Sequence, residues 1–280
     1  MLRTEYAILH FHSVLSPRHS VLFVLNMLTL LNDIPAYVLV FFRVAGLMLS
    51  APLFGSAKIP RRVKLLLAIV LAAGMSPGIT PPPWPMNAWQ LAVGVGGELI
   101  FGLAMGMALS FTFIAVNWAG EIIGQQMGMN LGEVFDPQFG KQASLVGDLY
   151  FMLTLAIFLI CNGHHAMLKG IHASFTALPL LSVGMTSDVF ELMTRLLNAA
   201  TVLAMQLAAP MLLTMLVVDL GLGFIGKTMP QINVMSAGVS MKSAIGVGVL
   251  LAGLTLTSDI IRDALLDSME SVRNAWLGMT

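Results

Sequence analysis

Gly120 to Pro137 reads GEIIGQQMGMNLGEVFDP. Glycines recur at 120, 124, 128 and 132, a four-residue spacing that keeps them on one stripe of a helix. A stripe without side chains lets a neighbouring backbone approach closely, as small-residue faces do between membrane helices. In water each such glycine weakens a helix by about 0.8–1 kcal/mol relative to alanine, so the segment needs tight neighbours to hold its shape. Gly120, Gly124 and Gly128 are therefore the expected helix-packing positions. Polar Glu121, Gln125, Gln126 and Asn130 lie among them, and Glu133 and Asp136 form an acidic exit.

Working outward, composition decides the class. Of 280 residues 57% are hydrophobic and 10% charged, against about 25% charged in a typical soluble domain. The chain reads as an integral membrane protein. Fourteen basic and fourteen acidic side chains cancel, and no basic stripe with interleaved aromatics points to nucleic acid. Cys161 is the single cysteine, so no internal disulfide can form. Apolar runs long enough to cross a bilayer cover Pro35 to Phe54, Val63 to Ile79, Ala88 to Ala119, Ser144 to Cys161, Leu196 to Ile225 and Ser236 to Thr257. Arg43, Glu98, Asp148 and Asp219 fall inside these runs, where a charge must face protein or water. They mark either a functional polar site or bonds across subunit contacts.

Three parts follow from this patterning: an N-terminal extension over 1–30, a helical domain over 31–258, and an amphipathic C-terminal helix over 259–280. Val21 to Leu31 resembles the apolar core of a signal peptide but lacks a cleavage signature, so the segment is expected to be retained, with Met27 as an alternative start. Pro81 to Pro85 cannot be helical and marks a turn at a membrane surface. Further breaks are expected at Phe135 to Gly140 and Met229 to Pro230. Lys58, Arg61, Arg62 and Lys64 place the first turn on the cytoplasmic side by the positive-inside rule. From Asp259 to Trp276, apolar Ile260, Ile261, Ala264, Leu265 and Val272 alternate at helical spacing with Asp259, Asp263, Asp267 and Glu270, the pattern of a surface helix. The expected fold is all-α, a polytopic membrane protein of long kinked helical hairpins.

The residues carry no catalytic signature. His164, His165 and His172 lack metal-ligand spacing, and no nucleophile elbow, phosphate loop or complete dinucleotide fingerprint appears. No catalytic residue, cofactor or metal is expected. One alternative remains from the charges themselves, an ion-coupled small-solute transporter using Glu98, Asp148 and Asp219 as carriers.

Several separated motifs occur together in order: Arg43 to Pro52, Ala57 to Lys64 (AKIPRRVK), Gly120 to Pro137, Asn162-Gly163-His164, and Met229 to Asn233 (MPQIN). In this the chain resembles the FliR family of flagellar export-gate subunits over roughly residues 30 to 260. It departs from that family in its N-terminal residues and at Gln138-Phe139-Gly140. The resemblance implies a non-enzymatic subunit of the type III protein export gate, in the bacterial inner membrane at the flagellar basal body. Implied partners are the FliP and FliQ subunits, the FlhB and FlhA components, and unfolded flagellar proteins as cargo. It also implies a plug loop in the pore, which maps to Leu131, Gly132, Glu133, Val134, Phe135, Asp136, Pro137, Gln138, Phe139 and Gly140. Met127 and Met129 beside it are candidates for a deformable pore seal. On this reading the buried charges are contacts between subunits.

Overall fold

A computed structural model describes residues 17–55, 59–77, 79, 87–129, 144–181, 187–229 and 234–277. They form helices α1 (Pro17–Ser50), α2 (Arg61–Met75), α3 (Ala88–Gln126), α4 (Leu145–Ile160), α5 (Gly163–Ala177), α6 (Ser187–Thr228) and α7 (Val234–Leu277). Among the described residues the fold is all-α. The plug-loop segment Leu131 to Gly140 and the turn Pro81 to Pro85 lie outside the described residues. The third expected break is seen as the end of α6 at Thr228, one residue before Met229.

The helix α3 is apolar around most of its circumference, the pattern of a helix surrounded by others or by lipid. It packs on α1, α4, α6 and α7 and organises the molecule. Its first half shares one core with α1 and α5, built on Leu39, Val44, Leu47, Phe101, Met105 and Ile171. Its second half shares another with α4, α6 and α7, built on Phe113, Ile123, Phe158, Leu207, Met215 and Leu265. In the second core Phe113 meets Phe151 and Phe158 edge to face, each with ring centroids 5.7 Å apart, an arrangement that adds to simple burial.

Length and hydropathy give fewer crossings than the runs of sequence do. Among the described residues three helical stretches, Ala88–Gln126, Phe190–Thr228 and Gly238–Ser271, are long and apolar enough to span a membrane. The run expected from Val63 to Ile79 forms a helix of only 15 residues, about 22 Å at 1.5 Å per residue and short of a hydrocarbon core of about 30 Å. The run from Ser144 to Cys161 is half of a bent pair, α4 and α5, which turn by 66° and make a fourth crossing if taken as one broken span.

That bend has a local cause. Asn162 sits in the left-handed region at φ 55°, which asparagine tolerates and branched residues do not. Its carbonyl accepts the N–H of His165 at 3.0 Å and of Ala166 at 3.1 Å, opening α5. Gly163 follows because a Cβ there would collide with the Phe158 ring and the Met269 methyl. Asn162→Val is expected to cost about 1–2 kcal/mol through the left-handed backbone, whereas Asn162→Gly is expected to be near neutral. Thermal unfolding of the two variants in detergent separates them.

The C-terminal stretch corrects the expected third part. The helix α7 runs unbroken from Val234 to Leu277, so the amphipathic segment continues a span and is no separate surface helix. Its apolar face is buried, with Ile261 and Leu265 fully enclosed in the second core. Asp259, Asp263 and Asp267 remain exposed, and Arg262 bonds Asp259 at 3.4 Å and Asp263 at 3.2 Å. Over its most apolar stretch α7 is only 11% buried, and α6 only 33%. Exposed Val217, Phe224 and Leu251 on these two helices require lipid or further protein around them.

Candidate functional site

Two constellations stand out, one at each end of α3. At its C-terminal end, the glycine-rich segment meets α4 and α7. A Cβ on Gly120 would lie 2.6 Å from the Gly147 Cα and 2.9 Å from the Val146 carbonyl oxygen, so the two backbones touch here. Ser144 caps α4, accepting the Gly147 N–H at 3.3 Å and donating its hydroxyl to the Gly120 carbonyl at 3.4 Å. Gly120→Leu is therefore expected to separate α3 from α4 and to abolish assembly, read as loss of the subunit from a purified complex.

The helix does not continue along the glycine stripe. It ends at Gln126, and Gly128 has φ 74°. The Met129 N–H bonds the Gly124 carbonyl and the Gly128 N–H bonds the Gln125 carbonyl, both at 3.0 Å. This is a glycine-terminated helix end with both bonds of the Schellman type. Gly124 is buried on the helix. Gly128 is corrected: its glycine serves a positive φ that terminates α3, and no helical packing stripe runs through it.

Met127 packs inside the chain. Its side chain is fully buried, seated over Gly246 of α7, where a Cβ would approach the Met127 Cε to 2.6 Å. Ser243 donates to the Met127 carbonyl at 3.0 Å. Met127 is enclosed by the second core. Met129 is half-buried against the same core. Met129 is tied to α3 through Gly124 and Ser144 through Gly120, positions about 6 Å apart on a helix. Met129 and Ser144 thus both lie against one turn of α3.

At the other end of α3 lies Arg43, completely buried with Glu98. The Arg43 Nε donates to a Glu98 carboxylate oxygen. Nη1 donates to the Ser174 carbonyl, the Ser174 hydroxyl and the Leu178 carbonyl, and Nη2 donates to the Leu178 carbonyl, all at 3.2 Å. The guanidinium lies between the rings of Phe101 and Phe175, 4.8 and 4.5 Å from their centroids. The second Glu98 oxygen accepts the Leu181 N–H at 3.2 Å. A cation bonded to carbonyls at a helix C-terminus gains both from hydrogen bonding and from the helix dipole. Arg43 thus ties α1, α3 and the end of α5 into one unit.

These contacts correct the reading as bonds between subunits for Arg43, Glu98 and Asp219. Arg43 and Glu98 satisfy each other inside the chain, and Asp219 pairs with Lys242 across α6 and α7. Asp148 is exposed in the first turn of α4, where the helix dipole favours a carboxylate.

Sequence reasoning missed the stripe that brings α1 and α3 together. Gly94, Glu98, Gly102, Gly106 and Ser110 recur every four residues. Against them lie Leu39, Arg43, Gly46, Leu47 and Ser50 of α1: a Cβ on Gly106 would lie 2.8 Å from the Leu47 carbonyl oxygen, and one on Gly46 2.8 Å from the Leu103 nitrogen. Ser50 donates to the Leu103 carbonyl at 2.9 Å, and Ser110 donates to the Ser50 carbonyl. The GxxxG spacing at 102 and 106 was the available signal.

Fold and site together define a polytopic membrane protein, all-helical among the described residues and organised on a glycine-rich central helix. The chain belongs to the bacterial export proteins, family 1, whose model matches residues 34–268. It is 30% identical over 252 residues to the flagellar biosynthetic protein FliR of Bacillus subtilis (strain 168), covering 88% of this chain and 96% of that one. It is 29% identical to FliR of Escherichia coli (strain K12), covering 76% and 82%, and 29% identical to FliR of Aquifex aeolicus (strain VF5), covering 78% and 85%.

Proposed function

We propose that this chain is a non-enzymatic subunit of the flagellar type III protein export gate, contributing long kinked helical hairpins to the channel for unfolded flagellar proteins. The observation that carries the reading is a family match extending over residues 34–268, so that it includes the glycine-rich helix end and the loop beyond it. Its partners on this reading are the FliP and FliQ subunits with FlhB and FlhA beside them, in the bacterial inner membrane at the flagellar basal body. The apolar faces left on α6 and α7 supply surface for such neighbours. Ion-coupled transport is less well supported: Glu98 is neutralised by Arg43 and Asp219 by Lys242, so two of the three carriers it needs are occupied.

Leu131 to Gly140 form the plug, and the tethering of both flanks to one turn of α3 supports that role. A segment whose two flanks are both held can be displaced by a passing chain without unravelling the helices that hold it. Phe135, Phe139 and Val134 seal the path by packing and dewetting. Deleting Leu131 to Gly140 is expected to leave the complex assembled, because Gly120, Ser144 and Met127 keep their contacts, but to let ions and small solutes leak. Co-purification with the small membrane partners checks assembly, and conductance or solute uptake in cells expressing the complex checks the seal. A tight complex after the deletion would put the seal elsewhere, and purification of the wild-type chain only as a monomer or symmetric dimer would overturn the gate reading.

A further inference from the structure

Pro210 sits near the middle of the Phe190–Thr228 stretch of α6. Lacking an N–H, it leaves the Gln206 carbonyl without the donor that a helix normally places four residues on. Within an apolar span such a group is satisfied by a neighbouring helix, a hydroxyl side chain or ordered water. Beside this gap lies a recess of about 60 Å³ between α3, α4, α6 and α7, with Gln206 and Pro210 in its wall. Tyr150 and Thr257 also line it. The Tyr150 side chain is buried and hydrogen-bonded to that of Thr257. Two hydroxyls that share one hydrogen bond retain an O–H and lone pairs for a third partner. Gly253 keeps the recess open, since a Cβ there would meet nothing within 4 Å. No charged side chain among the described residues lines it, so a neutral ligand is favoured over a cation.

We infer that this recess is a water-binding site that stands in for the missing hydrogen bond of α6 and makes Pro210 a hydrated hinge. A bound water needs about 10–15 Å³ and two to four polar partners. The recess supplies the room, and the Gln206 carbonyl, the Gln206 amide and the Tyr150 and Thr257 hydroxyls supply the partners. The inference rests neither on the export reading nor on what covers the outer face of α6 and α7, because such partners retain water under lipid and under protein alike. The hinge lies between two anchored halves of α6. The half before it reaches the first core through Leu192 and Leu196, and the half after it rests on the second core through Met211 and Met215. Water in the break lets these halves tilt against each other, where a continuous ladder of backbone bonds would resist.

Radiolytic hydroxyl-radical footprinting of the full chain, purified with its membrane partners in mild detergent, tests the site, because radicals made from a bound water oxidise the side chains it touches. After correction for the intrinsic reactivity of each ring, Tyr150 is expected to be oxidised severalfold more than Phe158, a fully buried ring on the same helix. Gly253→Leu fills the recess from a position where a Cβ is free, and should lower Tyr150 oxidation severalfold. Thr257→Val keeps the shape but removes one partner, and should lower it also if the leucine variant does not assemble. Pro210→Ala restores the N–H and should slow hydrogen exchange across residues 207–214 about tenfold. Tyr150 oxidation no greater than that of Phe158, oxidation unchanged by filling the recess or by Thr257→Val, or equal exchange in the wild type and Pro210→Ala overturns the inference. So does Tyr150 oxidation that falls as sodium rises, which would make the ligand a cation. Leakage and motility are read by neither method, so the gate reading stands or falls separately.

Discussion

Arg43→Met is expected to cost about 3–5 kcal/mol, because it leaves the Glu98 carboxylate buried without its partner. The side chain of Arg43 is wholly enclosed and occupies five hydrogen-bond acceptor contacts on Glu98, Ser174 and Leu178. Losing it releases the end of α5 as well as the charge. A protein of ordinary stability, about 5–15 kcal/mol, survives such a loss only in part, so the steady-state amount of the chain in the membrane should fall severalfold. Removing both charges is a different experiment. Arg43→Met with Glu98→Leu replaces the pair by apolar groups of similar size, a change that is often neutral, and should restore much of the lost protein. Immunoblotting of membrane fractions and thermal unfolding of the three variants complete the double-mutant cycle. A wild-type level for Arg43→Met alone would show that the pair does not hold α5.

Gly102→Ala should also be severe, although it adds one methyl group. The new Cβ would overlap the Arg43 carbonyl oxygen and lie 2.9 Å from the Arg43 carbonyl carbon and 3.0 Å from the Leu47 nitrogen. Those atoms are backbone and cannot rotate away, so α1 as a whole must shift, and with it the guanidinium. Overpacking of a tight core costs about 1–3 kcal/mol and more where nothing can yield. The matched control lies on the same helix. Gly96 has nothing within 4 Å of its Cβ position, so Gly96→Ala should be neutral or stabilising by up to about 1 kcal/mol from helix propensity. Opposite signs for two glycine-to-alanine changes six residues apart in α3 would be read in unfolding midpoints. Equal effects would mean that α1 and α3 do not cross here as described.

The two variants also show where reading along the chain is sufficient and where it fails. The helical, membrane-embedded class was legible because hydropathy and the rarity of charge are properties of residue type, independent of partners. Glycine at four-residue spacing announced close approach at Gly120 for the same reason: any helix with such a stripe offers its backbone. The spacing did not say where the helix stops. Gly128 continues the pattern on paper, yet its backbone turns left-handed and ends α3, since a C-terminal glycine and a packing glycine are the same residue in sequence. Nor could the chain alone say who neutralises whom. Arg43 and Glu98 are 55 residues apart, and only the crossing of α1 and α3 at glycines turns two costly charges into one satisfied pair. Met127 met the same limit: its seat over Gly246 is set by the placement of α7. The sequence by itself determined the solvent this protein lives in, its helices, and the places where backbones can touch. The tertiary structure alone decided which backbones do touch, and through them where α3 ends, which charges are cancelled, and why Met129 and Ser144 meet one turn of α3. Contacts between residues distant along the chain depend on the mutual placement of whole helices, and no local pattern carries that information.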